Sequence, residues 1–557
     1  MFPTRPIIAA LAVALASSAP AAPPQPPKLA VVIVVDQLRA DYLVRFRPYL
    51  GEGGFKRLLE GGTDFTQAHY RHALTVTAPG HAQILSGLFG RDHGIVGNEW
   101  LDRTAWEQVV SVEDRDSPLV GINPGELGAA AALNPAKTGR SPKNFLGTTV
   151  GDALKAAHGA DSKVFAASNK DRSAILLGGH KADGAYWDEV GRFITSRYYR
   201  AALPDWVEAF NAEKRPQAAF GQIWERLLDP AVYDRVQGPD DVVGETADFG
   251  FNRTFPKKID GGRPAISPAF YDAYENAPIS SVVLGAFVER AVVEEKLGRH
   301  PATDLLAVSF SQFDSIGHSY GPDSHEIMDA FLRLDRVVAS LLDCIDREVG
   351  LKNCVVVLTA DHGVAPLPEL APGRPPGRVK PAELDAIGAR ALDAAYGPLP
   401  TGELWLTRDG LAYHLRPDAL AAKKITAPAA ALVLQKALRT HPSVAEVYTR
   451  DELLAAPPEG DSVIALMRRS YHAERGRDLL MLLKPYHFIS RATGTTHSGP
   501  YDYDTHVPIV WFGAGIAPAV RTERVGVDDI APTLAALLGL PAPAGAQGRQ
   551  LFPLPGR

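Results

Sequence analysis

Six side chains spread over four short motifs carry the donor chemistry of a metal centre. "VVDQ" offers Asp36, and "FDSIGHSYGPDSHE" (313–326) offers Asp314 and, four residues on, His318. "TADHGV" offers Asp361 and His362, and "GTTHSGPYDYDTHVPI" (494–509) offers His497. Taken singly, a strand-end aspartate is an ordinary cap or turn residue, and a lone histidine an ordinary surface or core residue. Together the six suffice for two sites of three protein ligands with open positions, the number a catalytic zinc site uses. Two metals in one cleft can bridge a phosphate oxygen and stabilise the departing oxygen of an in-line displacement. Asp and His ligands suit Zn²⁺, and also Mn²⁺, Fe or Co²⁺. A further stretch, "TVTAPGHAQILSG" (75–87), places a threonine ahead of Pro-Gly-His, where a helix should begin. Such a threonine is either an N-cap that accepts from the orphan N–H groups, or a nucleophile at a positive helix end that favours an anion.

These motifs need a scaffold that brings distant residues together. The apolar runs "LAVVIVVDQ" (29–37), "DLLAVSFSQFD" (304–314), "NCVVVLTADHG" (353–363) and "HVPIVWFG" (506–513) show no alternation, as expected for strands covered on both faces of a parallel sheet. Helical patterns lie between them, including "GGFKRLLEGG" (53–62), "EIMDAFLRLDRVVASLLDCIDREV" (326–349) and "DDIAPTLAALLGL" (528–540). Alternating strands and helices predict an α/β fold, a mostly parallel central sheet flanked by helices. Ligands gather at the carboxyl ends of such strands, where Asp36, Asp314 and the pair Asp361–His362 stand. Residues 184–280 and 365–490 break the pattern and are expected to be insertions capping the site. The core is then built from 29–183, 281–364 and 491–557, and "GELWLTRDGLAYHLRP" (402–417) reads as a hairpin.

The joint set D…T-x-P-G-H…D-x-x-x-H…D-H-G…G-T-x-H resembles the alkaline phosphatase superfamily, in the branch shared with type I phosphodiesterases and nucleotide pyrophosphatases. The resemblance runs from about residue 30 to about residue 540. It implies one zinc held by Asp314, His318 and His497, and another by Asp36, Asp361 and His362 with Thr77 close by. It also selects Thr77 as the nucleophile and leaves Thr75 and His81 structural. Coordination to Zn²⁺ would lower the hydroxyl pKa toward the alkoxide. Pro79 at the helix start loses no needed N–H, and the first-turn N–H groups are expected to face the phosphate. "SNKDRSA" (168–174) carries Lys170 and Arg172, which match the K-x-R of phosphate-irrepressible periplasmic alkaline phosphatases, and Asn98 in "HGIVGNEW" matches their phosphate-contacting Asn. Charge agrees: three aspartates against two Zn²⁺ leave one positive charge, which a Thr77 alkoxide cancels. Lys170 and Arg172 then supply two positive charges for a phosphomonoester dianion, Arg by its planar fork and Lys as a point charge. The substrates implied are small phosphate monoesters of broad range. A phosphodiesterase or nucleotide pyrophosphatase on the same metals is the alternative.

The chain has 557 residues, 46% hydrophobic and 22% charged, with a formal net charge of -6. That is globular composition, and no basic run suggests a nucleic-acid partner. Arg5, the apolar "IIAALAVALA" (7–16) and "APA" (19–21) read as a signal peptide cleaved after Ala21, with 22–28 a Pro-rich linker. The expectation is a periplasmic or secreted protein with no membrane span. Two cysteines, Cys344 and Cys354, exclude a Cys-based zinc site and leave open one disulfide or two buried thiols.

Overall fold

The computed structural model describes residues 26–123, 139–371, 377–489 and 492–553, so the expected signal peptide lies outside the described residues. Ten strands make the central sheet: β1 (Leu29–Val35), β2 (Thr63–His69), β3 (Leu119–Val120), β4 (Val164–Ser168), β5 (Gly184–Glu189), β6 (Arg192–Ser196), β7 (Asp304–Phe310), β8 (Cys354–Thr359), β9 (Ile509–Gly513) and β10 (Ala519–Gly526). Their order is β10-β2-β9-β8-β1-β7-β4-β5-β6-β3. The central run β8-β1-β7-β4-β5 is parallel throughout. Every residue of β1, β7 and β8 is buried, which requires cover on both faces and explains their unbroken Val/Ile/Leu composition.

Helices fill the connections: α1 (Thr77–Ile84), α2 (Asp171–Gly178), α3 (Ile279–Glu294), α4 (Gln312–Tyr320) and α5 (His325–Glu348). In α5 the buried Ile327, Phe331, Leu334, Val338, Leu341 and Ile345 recur every three or four residues, one stripe of a 3.6-residue helix. Ser324 caps its start by accepting from the Ile327 N–H. Cys344 on α5 and Cys354 at the start of β8 are separate buried free thiols.

Two expectations change. The run at 506–513 becomes β9, which pairs antiparallel with both β8 and β2; an apolar run reports burial on two faces, not strand direction. The insertion expected from 184 begins inside the central sheet, as β5 and β6 extend it. Their two-residue turn, Val190–Gly191, has positive φ at both positions (51° and 71°). That is the turn type hairpins prefer, but Asn-Gly or Asp-Gly normally announces it and valine does not. Further on, residues 377–489 include a four-stranded sheet and the helices Pro381–Tyr396 and Ala427–Leu438 around their own core of Leu384, Leu392, Tyr413, Leu434 and Met481. The hairpin at 402–417 lies there, as Leu406–Asp409 paired with Ala412–Leu415.

Asp188 on β5 gives the fold a pH dependence. It is buried, Tyr274 donates to its Oδ2 at 3.1 Å, and its Oδ1 has no partner among the described residues. Burial pushes the carboxyl up to about 7 against the pull of the Tyr274 hydroxyl and two backbone N–H groups. A folded-state value above the unfolded one means stability present below about pH 4 is lost as pH rises through about 7. Asp188→Asn should therefore stabilise the protein at pH 8 by about 2–4 kcal/mol and change little at pH 4. Denaturant midpoints at the two pH values check this; an equal shift at both would contradict it.

Candidate active site

The four parallel strands β8, β1, β7 and β4 are neighbours, and each delivers functional side chains at its carboxyl end, where α/β sheets bind ligands. Asp36 follows β1 directly, Asp361 and His362 follow β8, α4 after β7 carries Asp314 and His318, and Lys170 lies between β4 and α2. The spacing of Asp314 and His318, four residues on one helix, stacks them on one face. His497 arrives from the loop before β9.

The six residues converge as two triads, Asp314–His318–His497 and Asp36–Asp361–His362, with ligand atoms within 4.8 Å of one another in each. In the first, His318 Nε2 lies 3.2 Å and His497 Nε2 3.6 Å from Asp314 Oδ1, and the two Nε2 atoms are 3.3 Å apart. In the second, His362 Nε2 is 3.4 Å from both Asp36 Oδ1 and Asp361 Oδ2. All three histidines use Nδ1 on a backbone carbonyl: His318 on Thr495 at 2.8 Å, His362 on Gly363 at 2.9 Å and His497 on Thr75 at 2.6 Å. A donating Nδ1 leaves a lone pair on Nε2, the tautomer a metal ligand needs.

The residues fit a divalent cation. Asp36 Oδ1, Asp361 Oδ2 and His362 Nε2 are buried and have no hydrogen-bond partner among the described residues. Two carboxylates and an imidazole lone pair facing one another are costly in a dry interior unless a cation sits between them. Titration follows the same logic. Burial, aided by the Asp361 charge, pushes Asp36 well above the usual carboxylate range. Burial also acts upward on Asp314, but His318 and Lys170 outweigh it and hold that carboxyl well below its usual value. Burial, with His362 and His318 adding to it, keeps His497 far below the ordinary imidazole value and so neutral.

Thr77 is the first residue of α1 and is buried. The N-cap position belongs to Val76, and no side chain caps the helix start. The capping role is therefore excluded for Thr77, whose hydroxyl makes no hydrogen bond to another described residue. Thr75 instead donates from Oγ1 to the Gly499 carbonyl at 3.0 Å. His81 accepts no ligand role: its Nδ1 lies 2.9 Å from the Thr77 carbonyl and 3.2 Å from Asp361 Oδ2, and its Nε2 is 2.8 Å from Ser309 Oγ. It thereby ties the helix start to the second triad. Gly80 is required here, since a Cβ would overlap the Asp361 carbonyl oxygen.

Asn98 reaches the start of α1, and Lys170 reaches the two triads. Ala78 N–H donates to Asn98 Oδ1 at 2.9 Å; that N–H is thus not free for phosphate, and the Asn98 Nδ2 group remains to donate. Lys170 Nζ sits 2.8 Å from Asp36 Oδ2 and 2.6 Å from Asp314 Oδ2, bridging the triads. Burial alone would lower its pKa, but the two carboxylates outweigh burial and raise it, so the ammonium stays charged. Arg172 lies in the first turn of α2, its Nε buried without a hydrogen-bond partner among the described residues. Arg140 Nε on Asp171 Oδ2 at 2.6 Å holds that turn in place.

The type I phosphodiesterase / nucleotide pyrophosphatase family model matches residues 30–485. The chain belongs to this family. Its resemblance to the alkaline phosphatase superfamily extends past the end of that match. The chain is 33% identical over 544 residues to alkaline phosphatase PhoV of Synechococcus elongatus, covering 95% of this chain and 92% of the relative. It is 32% identical over 543 residues to alkaline phosphatase PafA of Elizabethkingia meningoseptica, covering 95% of both. The crystal structure of PafA superposes with a TM-score of 0.85 at 31% identity, over 95% of this chain and 98% of PafA. The family fold, a large mostly parallel sheet between helices, is the one described above.

Motif reading missed Gln37, which follows Asp36 and donates to ligands of both triads: its N–H to Asp361 Oδ1 at 3.1 Å and its Nε2 to Asp314 Oδ1 at 2.6 Å. A polar residue buried immediately after a strand-end ligand was the available signal. The carbonyls of Thr75, Gly363 and Thr495 that orient the histidines leave none, because any residue type supplies a carbonyl.

Proposed function

We propose that the protein is an exported two-zinc alkaline phosphatase that hydrolyses a broad range of phosphate monoesters through a phosphothreonine on Thr77. The observation that carries this reading is the convergence of two Asp/His triads bridged by the Lys170 ammonium, with Thr77 opening the helix whose His81 contacts the second triad. Phosphoric monoester hydrolysis is also the reaction class of the near-full-length relatives named alkaline phosphatases. Asp314, His318 and His497 would hold one metal, and Asp36, Asp361 and His362 the other. When bound, such ions lower the pKa of a nearby hydroxyl and stabilise attacking and leaving oxygens. Export rests on the N-terminal sequence; among the described residues no single helix is long and apolar enough to cross a membrane.

Thr77 Oγ1, having given its proton to water, attacks phosphorus opposite the ester oxygen. The Oγ1–P bond forms as the P–O ester bond breaks, and the departing alkoxide takes a proton from water. Water then attacks the phosphothreonine, releasing inorganic phosphate and restoring the hydroxyl. Asn98 Nδ2, Lys170 and Arg172 bind the non-bridging oxygens and oppose the charge that develops there. Little of the leaving group is recognised by this machinery, which supports broad substrate range.

The test is kcat/KM on an aryl phosphate and on its methyl diester. Wild type should prefer the monoester. Lys170→Ala and Arg172→Ala remove contacts that a dianion fills and an alkylated oxygen cannot. Each should cost about 3 kcal/mol in the monoester transition state, roughly 100-fold or more in kcat/KM, with a much smaller loss on the diester. Equal losses on both substrates would sink the monoesterase reading in favour of the phosphodiesterase one.

A further inference from the structure

Gln37 is a buried polar residue that touches both triads and to which the proposed chemistry gives no part. It is 1% exposed and sits at φ 69°, in the left-handed region that costs a residue with a side chain and persists only where surrounding contacts over-determine it. Two separate groups of this residue hold two carboxylates: its backbone N–H holds Asp361 and its side-chain Nε2 holds Asp314. The amide orientation is forced, because reversing it would set Oε1 against the Asp314 oxygen, acceptor against acceptor. Gly317 supplies an independent observation. It lies on α4 between the ligands Asp314 and His318, and any Cβ there would collide with Gln37 Oε1. The helix that presents two ligands is thus shaped to admit this amide.

We propose that Gln37 is a positioning residue that couples the two triads, a role that rests on the two-metal reading above. Its Nε2–H fixes the Asp314 carboxylate so that Oδ1 faces His318 and His497 while Oδ2 faces Lys170. Its backbone N–H fixes Asp361 in the other triad. Because only the first contact uses the side chain, substitution separates them: the Asp314 triad loses its support and the Asp36 triad keeps it. Hydrogen-bond partners of metal-ligating carboxylates are worth about 10–100-fold in metal affinity.

The experiment is competition of Zn²⁺ between the purified full-length protein and a chromophoric chelator, with no substrate present. Wild type should bind two equivalents. Gln37→Met keeps side-chain length and the backbone N–H but loses the donor; it should weaken one equivalent by about 10–100-fold and leave the other unchanged. Gln37→Glu, which sets a carboxylate against Asp314, should weaken that equivalent further. In a His497→Ala background, where only the Asp36 triad is whole, Gln37→Met should change nothing. Gly317→Ala, which displaces the amide, should reproduce the selective loss, and adding Gln37→Met to it should produce no further loss. Wild-type affinity for both equivalents in Gln37→Met, or equal weakening of both, overturns the proposal while the two-metal reading stands. A wild type that binds fewer than two equivalents overturns that reading, and this inference with it.

Discussion

Thr77→Ala should lower kcat/KM for phosphate monoesters by about 10⁴-fold or more, the scale on which a covalent nucleophile is missed when the rest of its site survives. Thr75→Ala, two residues away, should cost less than about tenfold. The difference is structural. Thr77 opens α1 with an uncommitted hydroxyl, whereas the Thr75 side chain only ties its loop to the Gly499 carbonyl, a contact of about 1 kcal/mol. The Thr75 group that matters to the site is its carbonyl, which orients His497 and survives the substitution. Thr77→Ser should keep part of the activity, since a primary hydroxyl can occupy the same place. Steady-state kinetics on one aryl phosphate checks all three variants; a Thr77→Ala enzyme within tenfold of wild type would remove the nucleophile from the account.

Metal removal has the other large effect. Exhaustive chelation should abolish monoesterase activity, and added Zn²⁺ should restore it. The six candidate ligand side chains converge as two groups of three around unsatisfied lone pairs. Metal-free protein should also melt at lower temperature, because ions that bind only the folded chain contribute about 4 kcal/mol per site at a thousandfold excess over Kd. His318→Ala and His497→Ala should each reduce bound metal from two equivalents to one, since a three-ligand site tolerates no missing partner. Activity that survives complete chelation would contradict the two-metal reading directly.

The chemistry was legible wherever it depends on residue type. Asp36, Asp361 and His362 end apolar runs that became β1 and β8, and Asp314 and His318 keep a helical spacing, so these donors could be singled out before any coordinates. Their grouping by site came from family resemblance, since spacing along a chain does not say which strands are neighbours. Gly80 and Gly317 show why two motif glycines stand where they do: each faces an atom that a Cβ would strike. Other features had no signature. The Val190–Gly191 hairpin uses backbone angles that valine rarely adopts, so the strands it joins read as insertion. The direction of β9 depends on the chain's path through 377–489, not on its Val/Ile/Trp content. Lys170 looked like a phosphate ligand alone, yet its ammonium also lies between the Asp36 and Asp314 carboxylates of the two triads, a placement set by tertiary contact of β4 with β7.

The central claim is that a monoester's phosphoryl group passes through Thr77. Wild-type enzyme mixed with excess aryl phosphate for milliseconds, quenched in acid and digested, should yield one phosphorylated peptide, with the phosphate on Thr77. Phosphate found on any other residue, or none on the enzyme while a product burst is observed, would contradict the account.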